Sequence, residues 1–91
     1  MVDAESEIVN RLGLHARAAA KLVHTASSFE SEVHLLSEGE EVDAKSILGV
    51  LLLAAAQGMT VTVRCCGTDE RDALEAVTSL IAEGFGEELE S

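Results

Sequence analysis

The sequence contains no proline, no tryptophan and no tyrosine, and only two phenylalanines in 91 residues. With so few aromatic rings, a core must be assembled from Ala, Val, Leu and Ile side chains packed in layers. With no proline, no internal repeat and no low-complexity linker, the chain reads as one folded unit. Cysteine is scarce as well. Cys65 and Cys66 are neighbours, and adjacent strand positions point to opposite faces, which argues against a disulfide between them, so both are read as reduced packing residues. A small secreted domain would carry a fuller disulfide framework. No apolar run approaches the ~18–20 residues of a membrane helix, and the acidic stretch from Met1 to Glu7 has neither the basic start nor the apolar run of a signal peptide. These absences lead to the expectation of a soluble, cytoplasmic protein. Positive charge is short too: 6 Lys and Arg face 17 Asp and Glu, a net −11. Nucleic acid and anionic membrane would repel such a surface, so neither is expected as a partner.

What is present is enough for one domain, since domains begin at ~50 residues and this length cannot divide into two cores. A single domain over 1–86 with a solvated acidic tail over 87–91 is the reading. A first strand is expected over Glu5 to Val9, ended by the turn at Asn10-Arg11-Leu12-Gly13. Ala16, Ala19, Leu22, Val23 and Ala26 fall at helical spacing, giving a helix that ends near Ser27. Glu32 to Leu36 alternates as a strand, Ser37-Glu38-Gly39-Glu40 turns the chain, and Glu41 to Asp43 returns as a hairpin partner. Ser46 stands as N-cap before the apolar run Ile47 to Ala56, with Gly58 as the helix stop. Thr60 to Cys66 is the last strand. Thr68 or Asp69 caps a final helix with Leu74, Val77 and Ile81 on one face. The order is βαββαβα, an α+β open-faced sandwich with a four-stranded, mostly antiparallel sheet and three helices on one face.

The most informative segment is Gly13-Leu14-His15-Ala16-Arg17-Ala18-Ala19-Ala20, which sets a histidine where a glycine turn meets a helix N-terminus. The first N–H groups of a helix lack intrahelical acceptors, and the dipole adds roughly half a positive charge there, so an anion finds donors and a favourable field. The backbone at Ala16 and Arg17 would supply those donors, and the Arg17 guanidinium suits phosphate geometry. A neutral imidazole is nucleophilic near pH 7 and is a good leaving group once phosphorylated. By spacing alone, His15 is either a phosphoryl acceptor or simply a helix cap.

Together with Ala19 and Ala20, Gly13-Leu14-His15-Ala16-Arg17 resembles the active-site signature of HPr, the histidine-containing phosphocarrier family of the bacterial sugar phosphotransferase system. Lys45-Ser46-Ile47-Leu48-Gly49, running on to Gln57-Gly58, is similar to the family's regulatory serine motif, at the expected distance downstream. The similarity runs from about Glu5 to about Glu83. It implies that His15 accepts a phosphoryl group from Enzyme I, itself charged by phosphoenolpyruvate, and donates it to EIIA-type domains, with Arg17 as phosphate stabiliser. It also implies that Ser46 matches the serine modified by an ATP-dependent HPr kinase/phosphorylase in some members; an unmodified serine there is a plain N-cap. Such a protein is a substrate of phosphotransferases rather than an enzyme, with no cofactor. The family usually has proline at the position of Ala18, and Arg11 and Leu12 depart from the loop of better-known members, which bears on partner preference more than on chemistry.

A carrier needs a docking surface, and Ile47, Leu48 and Leu51 are the candidates for an apolar patch beside His15; Val50 and Leu53 fit either face. His24 and His34 lack a second ligand at metal spacing and are assigned to the surface, so no metal is expected. A monomer is expected. Two other readings stay open: a carrier in a nitrogen-related or regulatory phosphorelay using the same His15, and a module that binds a free anion without covalent chemistry.

Overall fold

The computed structural model describes residues 1–87, so the tail expected over 87–91 lies, from Glu88 onward, outside the described residues. The chain runs β1 (Val2–Glu7), α1 (Ala16–Ser27), β2 (Glu32–Ser37), β3 (Glu40–Asp43), α2 (Ile47–Leu53), β4 (Thr60–Cys66), α3 (Glu70–Ala82) and a short 3₁₀ turn (Gly84–Gly86). The four strands lie in the order β1-β4-β2-β3, and every pairing is antiparallel. The βαββαβα order and the helix-covered sheet read from the sequence are the observed architecture.

Alternation explains the sheet. In β4, Val61, Val63 and Cys65 are fully buried, while Thr60, Thr62, Arg64 and Cys66 take the other face; β2 does the same with Val33 and Leu35 inward. Above them, Ala18, Ala19, Leu22 and Ala26 of α1 and Ala73, Val77 and Ile81 of α3 fill the layer. Many contacts are made by alanine, which lets the helices sit close to the sheet and to one another. In α2, Val50 and Leu53 turn inward, which settles two positions the pattern leaves open.

Three expectations are corrected. β1 begins at Val2 and ends at Glu7, starting and stopping earlier than its apolar pattern suggests. Its inward side chains are only Val2, Ala4 and Ser6, so the strand is defined by the ladder β4 offers, from Val2↔Cys65 to Glu7↔Thr60. Helix α2 stops at Leu53, not at Ala56: Ala54 adopts the left-handed conformation at φ 55°, ψ 38° and serves as its C-cap. An alanine in that region is strained by roughly 1–2 kcal/mol, so no glycine marks the end and the apolar run disguises it. Finally, the aliphatic core has an aromatic plug. Phe85, just ahead of the expected tail, is 0% exposed and heads the fully buried side chains by volume.

Phe85 itself sits at φ 59°, between Gly84 at φ 67° and Gly86 at φ 75°. These successive left-handed residues reverse the chain sharply after α3. The glycines take this conformation without a Cβ clash. For Phe85 the strain of about 1–2 kcal/mol is outweighed by the roughly 2–3 kcal/mol that full burial of such a side chain contributes. The reversal carries the chain back across the molecule towards α1.

Candidate functional site

The site is built around the start of α1. Asn10 to Leu14 forms a loop whose Gly13 has φ 64°, and a Cβ there would lie 2.6 Å from the Ala55 carbonyl oxygen. Only glycine allows that approach, and beside it the Leu14 N–H donates to the Ala55 carbonyl at 2.9 Å. The loop is thereby clamped onto the segment following α2. His15 then occupies the N-cap position in extended conformation, φ −76° and ψ 179°.

In place of the usual Ser or Asp cap, the imidazole does the capping: the Arg17 backbone N–H donates to His15 Nδ1 at 3.2 Å. An acceptor nitrogen carries no proton, so in the neutral ring Nε2 holds it. Among the described residues, the N–H groups of Ala16 and Ala18 have no acceptor, as the opening turn of a helix predicts. Of the two backbone donors expected from the sequence, the Ala16 N–H has no acceptor among the described residues and the Arg17 N–H is engaged by the imidazole. The Arg17 side chain is exposed and forms no ion pair among the described residues.

His15 retains 25% of its side-chain exposure, so the ring is accessible yet held. Its other nitrogen shows what the sequence did not reveal. Nε2 donates to a carboxylate oxygen of Glu87, and the second Glu87 oxygen accepts from Asn10 Nδ2 at 3.1 Å. Asn10 is fully buried and also donates to the Gly13 carbonyl at 2.8 Å. Expected as the first residue of a solvated tail, Glu87 is instead 17% exposed. Partial burial works to raise its pKa, but hydrogen bonds from His15 and Asn10, with the charges of His15 and Lys21, bring it below the ordinary glutamate value. Lys21 secures the same segment by donating to the Phe85 carbonyl at 2.6 Å. A glutamate 72 residues away has no local sequence signal; the aromatic residue framed by glycines just ahead of it is the one hint that this stretch docks.

Ser46 caps α2 as expected, its Oγ accepting from the Gly49 N–H at 3.1 Å. The docking candidates stand at the surface: Ile47 is 47% exposed, Leu48 63% and Leu51 37%, and they are joined by Leu52 at 68% and Leu12 at 64%, which the sequence pattern does not single out. His24 is exposed; His34 is half-buried on the uncovered sheet face, between Glu41 at 2.6 Å and Glu32 at 3.6 Å. Cys65 is buried and Cys66 exposed, both unpaired. Burial, and then the charges of Glu70 and Asp69, push the Cys65 thiol above its ordinary value, which makes it a packing group. Among the described residues, no three His, Cys, Asp or Glu stand where they could hold a metal ion, and no helix is long and apolar enough to cross a membrane.

A histidine presented this way matches known proteins over almost the whole chain. Residues 2–83 match the family described as the PTS HPr component phosphorylation site. The phosphocarrier protein HPr of Cupriavidus necator is 51% identical over 87 residues, covering 96% of this chain and 98% of its own. The chain belongs to the HPr family. Among solved structures of that family, an HPr from Thermoanaerobacter tengcongensis superposes with a TM-score of 0.93 at 43% identity, covering 97% of this chain and 99% of its own. Another structure of HPr from that organism, described as a dimer, superposes with a TM-score of 0.77 at 42% identity, over 96% and 100% of the two chains. HPr proteins are phosphocarriers, and the monomer expected from the sequence therefore has a dimeric HPr as counter-example.

Proposed function

We propose that this HPr family member carries a phosphoryl group on His15, accepting it from phospho-Enzyme I and donating it to EIIA-type domains in a sugar phosphotransferase system. One observation carries the reading: His15 Nδ1 faces the opening amide of α1, with the Arg17 N–H already directed at it. A phosphoryl group bonded to that nitrogen lies beside the N–H groups of Ala16 and Ala18, and, because the bond uses the Nδ1 lone pair, it takes over the Arg17 N–H as well, in the favourable end of the helix dipole. Arg17, whose side chain is exposed, closes on the phosphoryl oxygens. The ring attacks with the nitrogen that lacks a proton, so no general base is needed. The protein acts as substrate and intermediate of phosphotransferases in the cytoplasm, without a cofactor.

Partner proteins dock on the exposed face of α2 through Ile47, Leu48 and Leu51. Ser46, at the N-terminus of the same helix, is where an HPr kinase/phosphorylase acts; a phosphate there keeps the helix capped and sets a dianion beside the docking face, so its effect is on acidic partners rather than on the fold.

The test is to incubate the protein with phosphoenolpyruvate and Enzyme I and look for phosphate that is acid-labile and base-stable. His15→Ala is expected to abolish the label, Ser46→Ala to leave it. Reversible anion binding without label would instead mark a non-covalent module, and label that passes only to partners of a nitrogen-related relay would reassign the pathway. Size-exclusion of the labelled protein at micromolar concentration is expected to show a monomer.

A further inference from the structure

We propose that Glu87 is a positioning residue for His15, holding the proton on Nε2 so that Nδ1 remains the nucleophile and the ring stays protonated once it bears the phosphoryl group. The proposal rests on the phosphocarrier reading above and adds to it a residue from the far end of the chain.

Glu87 is not a loose surface acid near a histidine. The left-handed turn at Gly84, Phe85 and Gly86 aims the chain, the buried Phe85 ring anchors it, and Lys21 fixes the Phe85 carbonyl. Both carboxylate oxygens are then used, one by Asn10 Nδ2 and one by His15 Nε2. Asn10 ties this carboxylate to the loop that presents His15, because the same amide nitrogen binds the Gly13 carbonyl. The ring is therefore held from both sides, by Arg17 N–H at Nδ1 and by Glu87 at Nε2. A carboxylate on the far nitrogen of an imidazole fixes tautomer and orientation and stabilises the cationic ring, which is how an aspartate serves the histidine of a catalytic triad.

The balance of the step shows where that cation arises. The Nδ1 lone pair forms the N–P bond while the donor's bond to phosphorus breaks and its electron pair leaves with the donor. The ring keeps its Nε2 proton and gains a positive charge, which the Glu87 carboxylate faces directly. On transfer to the acceptor, the N–P pair returns to Nδ1 and the ring is neutral again with the same proton. Glu87 neither gives nor takes a proton. It keeps the phosphorylated ring in its protonated form, the better leaving group, at higher pH than a solvent-exposed phosphohistidine would allow. The charged groups around this carboxylate are His15 and Lys21, with Arg17 in the first turn of α1; Leu53 to Ala56, against which the loop packs, contains no ionisable side chain.

Two measurements on the full chain test this, with Glu87→Gln as the isosteric variant and Glu87→Ala as the second. Nitrogen-resolved NMR of the unphosphorylated imidazole should show, in the wild type at neutral pH, a protected Nε2–H and an unprotonated Nδ1; in both variants Nε2–H exchange should accelerate by about tenfold or more, the loss of one charge-assisted hydrogen bond. In the phosphorylated protein, loss of phosphate followed against pH should keep its rapid limb to about one pH unit higher in the wild type than in Glu87→Gln. Unchanged exchange and an unchanged profile overturn the role, as does faster phosphoryl acceptance by both variants at every pH, which would make Glu87 an obstacle. A wild type that takes no label on His15 overturns the phosphocarrier reading itself and this role with it; label on wild type and variant with identical profiles overturns this role alone.

Discussion

At the scale of the residue, the site divides its labour between groups adjacent in sequence and groups far apart. The places of His15 and Ser46 were legible because each depends on its own neighbours: a helix begins directly after His15, with Arg17 in its first turn, and Ser46 directly precedes its own helix. Leu12 and Leu52 were missed as surface groups because an apolar residue in a loop or helix carries no mark of exposure. Glu87 has no such local mark, because its position is set by a turn, a buried ring and a buried amide that meet only in three dimensions. Arg17 allows a clean prediction. Since its side chain is exposed and free of ion pairs among the described residues, Arg17→Ala should change stability by less than about 0.5 kcal/mol. The rate of phosphoryl transfer from His15 should fall by roughly 10- to 100-fold, the loss of a charged hydrogen-bonding fork. Arg17→Lys should recover only part of it, because an ammonium cannot grip two oxygens in one plane. Stopped transfer assays beside urea unfolding separate the two effects.

At the scale of the element, α1 and β4 were readable to their last residues, since strong period and local caps agree. Boundaries went astray where tertiary structure overrode pattern: β1 follows the ladder of β4, and α2 ends at a left-handed Ala54 inside an unbroken apolar run. That strain is removable. Ala54→Gly should raise stability by about 0.5–1 kcal/mol, read as a higher urea midpoint at unchanged slope, because glycine takes positive φ without a Cβ clash. The 84–86 turn behaves in the opposite sense. Phe85→Ala keeps the strained backbone and removes the burial that sustains it, so a loss of about 3 kcal/mol or more is expected. The Nε2–H protection of His15 should be lost with it, as Glu87 is released.

At the scale of the whole molecule, charge is the governing feature, with 17 acids against 6 bases. Such an excess leaves acid titration as the main lever on stability. Asp69 shows how. Its carboxylate accepts the Ser31 hydroxyl, the Glu30 N–H at 3.0 Å and the Ser31 N–H at 2.9 Å, tying the start of α3 to the entrance of β2. Those bonds, the Ser31 hydroxyl foremost, hold its pKa below the ordinary aspartate value, and Glu70 is lowered likewise, chiefly by the Gly67 N–H. A folded value below the unfolded one means stabilisation that is complete above the unfolded carboxylate range of about 4 and is lost as pH falls through the lower folded values. The urea midpoint should therefore drop on acidification below about pH 4, and less steeply in Asp69→Asn. The fold class was legible at this scale because alternating and helical segments in the order βαββαβα permit few arrangements in so short a chain; the closure of the C-terminal segment over the site was not, because no periodicity encodes it.

In the proposed carrier the cargo sits on the nitrogen facing the opening of α1. A phosphorus–nitrogen correlation spectrum of the phosphorylated, ¹⁵N-labelled chain tests it most directly. The single phosphorus resonance is expected to couple to His15 Nδ1, with Nε2 still protonated. Coupling to Nε2, or a phosphate ester on Ser46 with the imidazole unmodified, would contradict it.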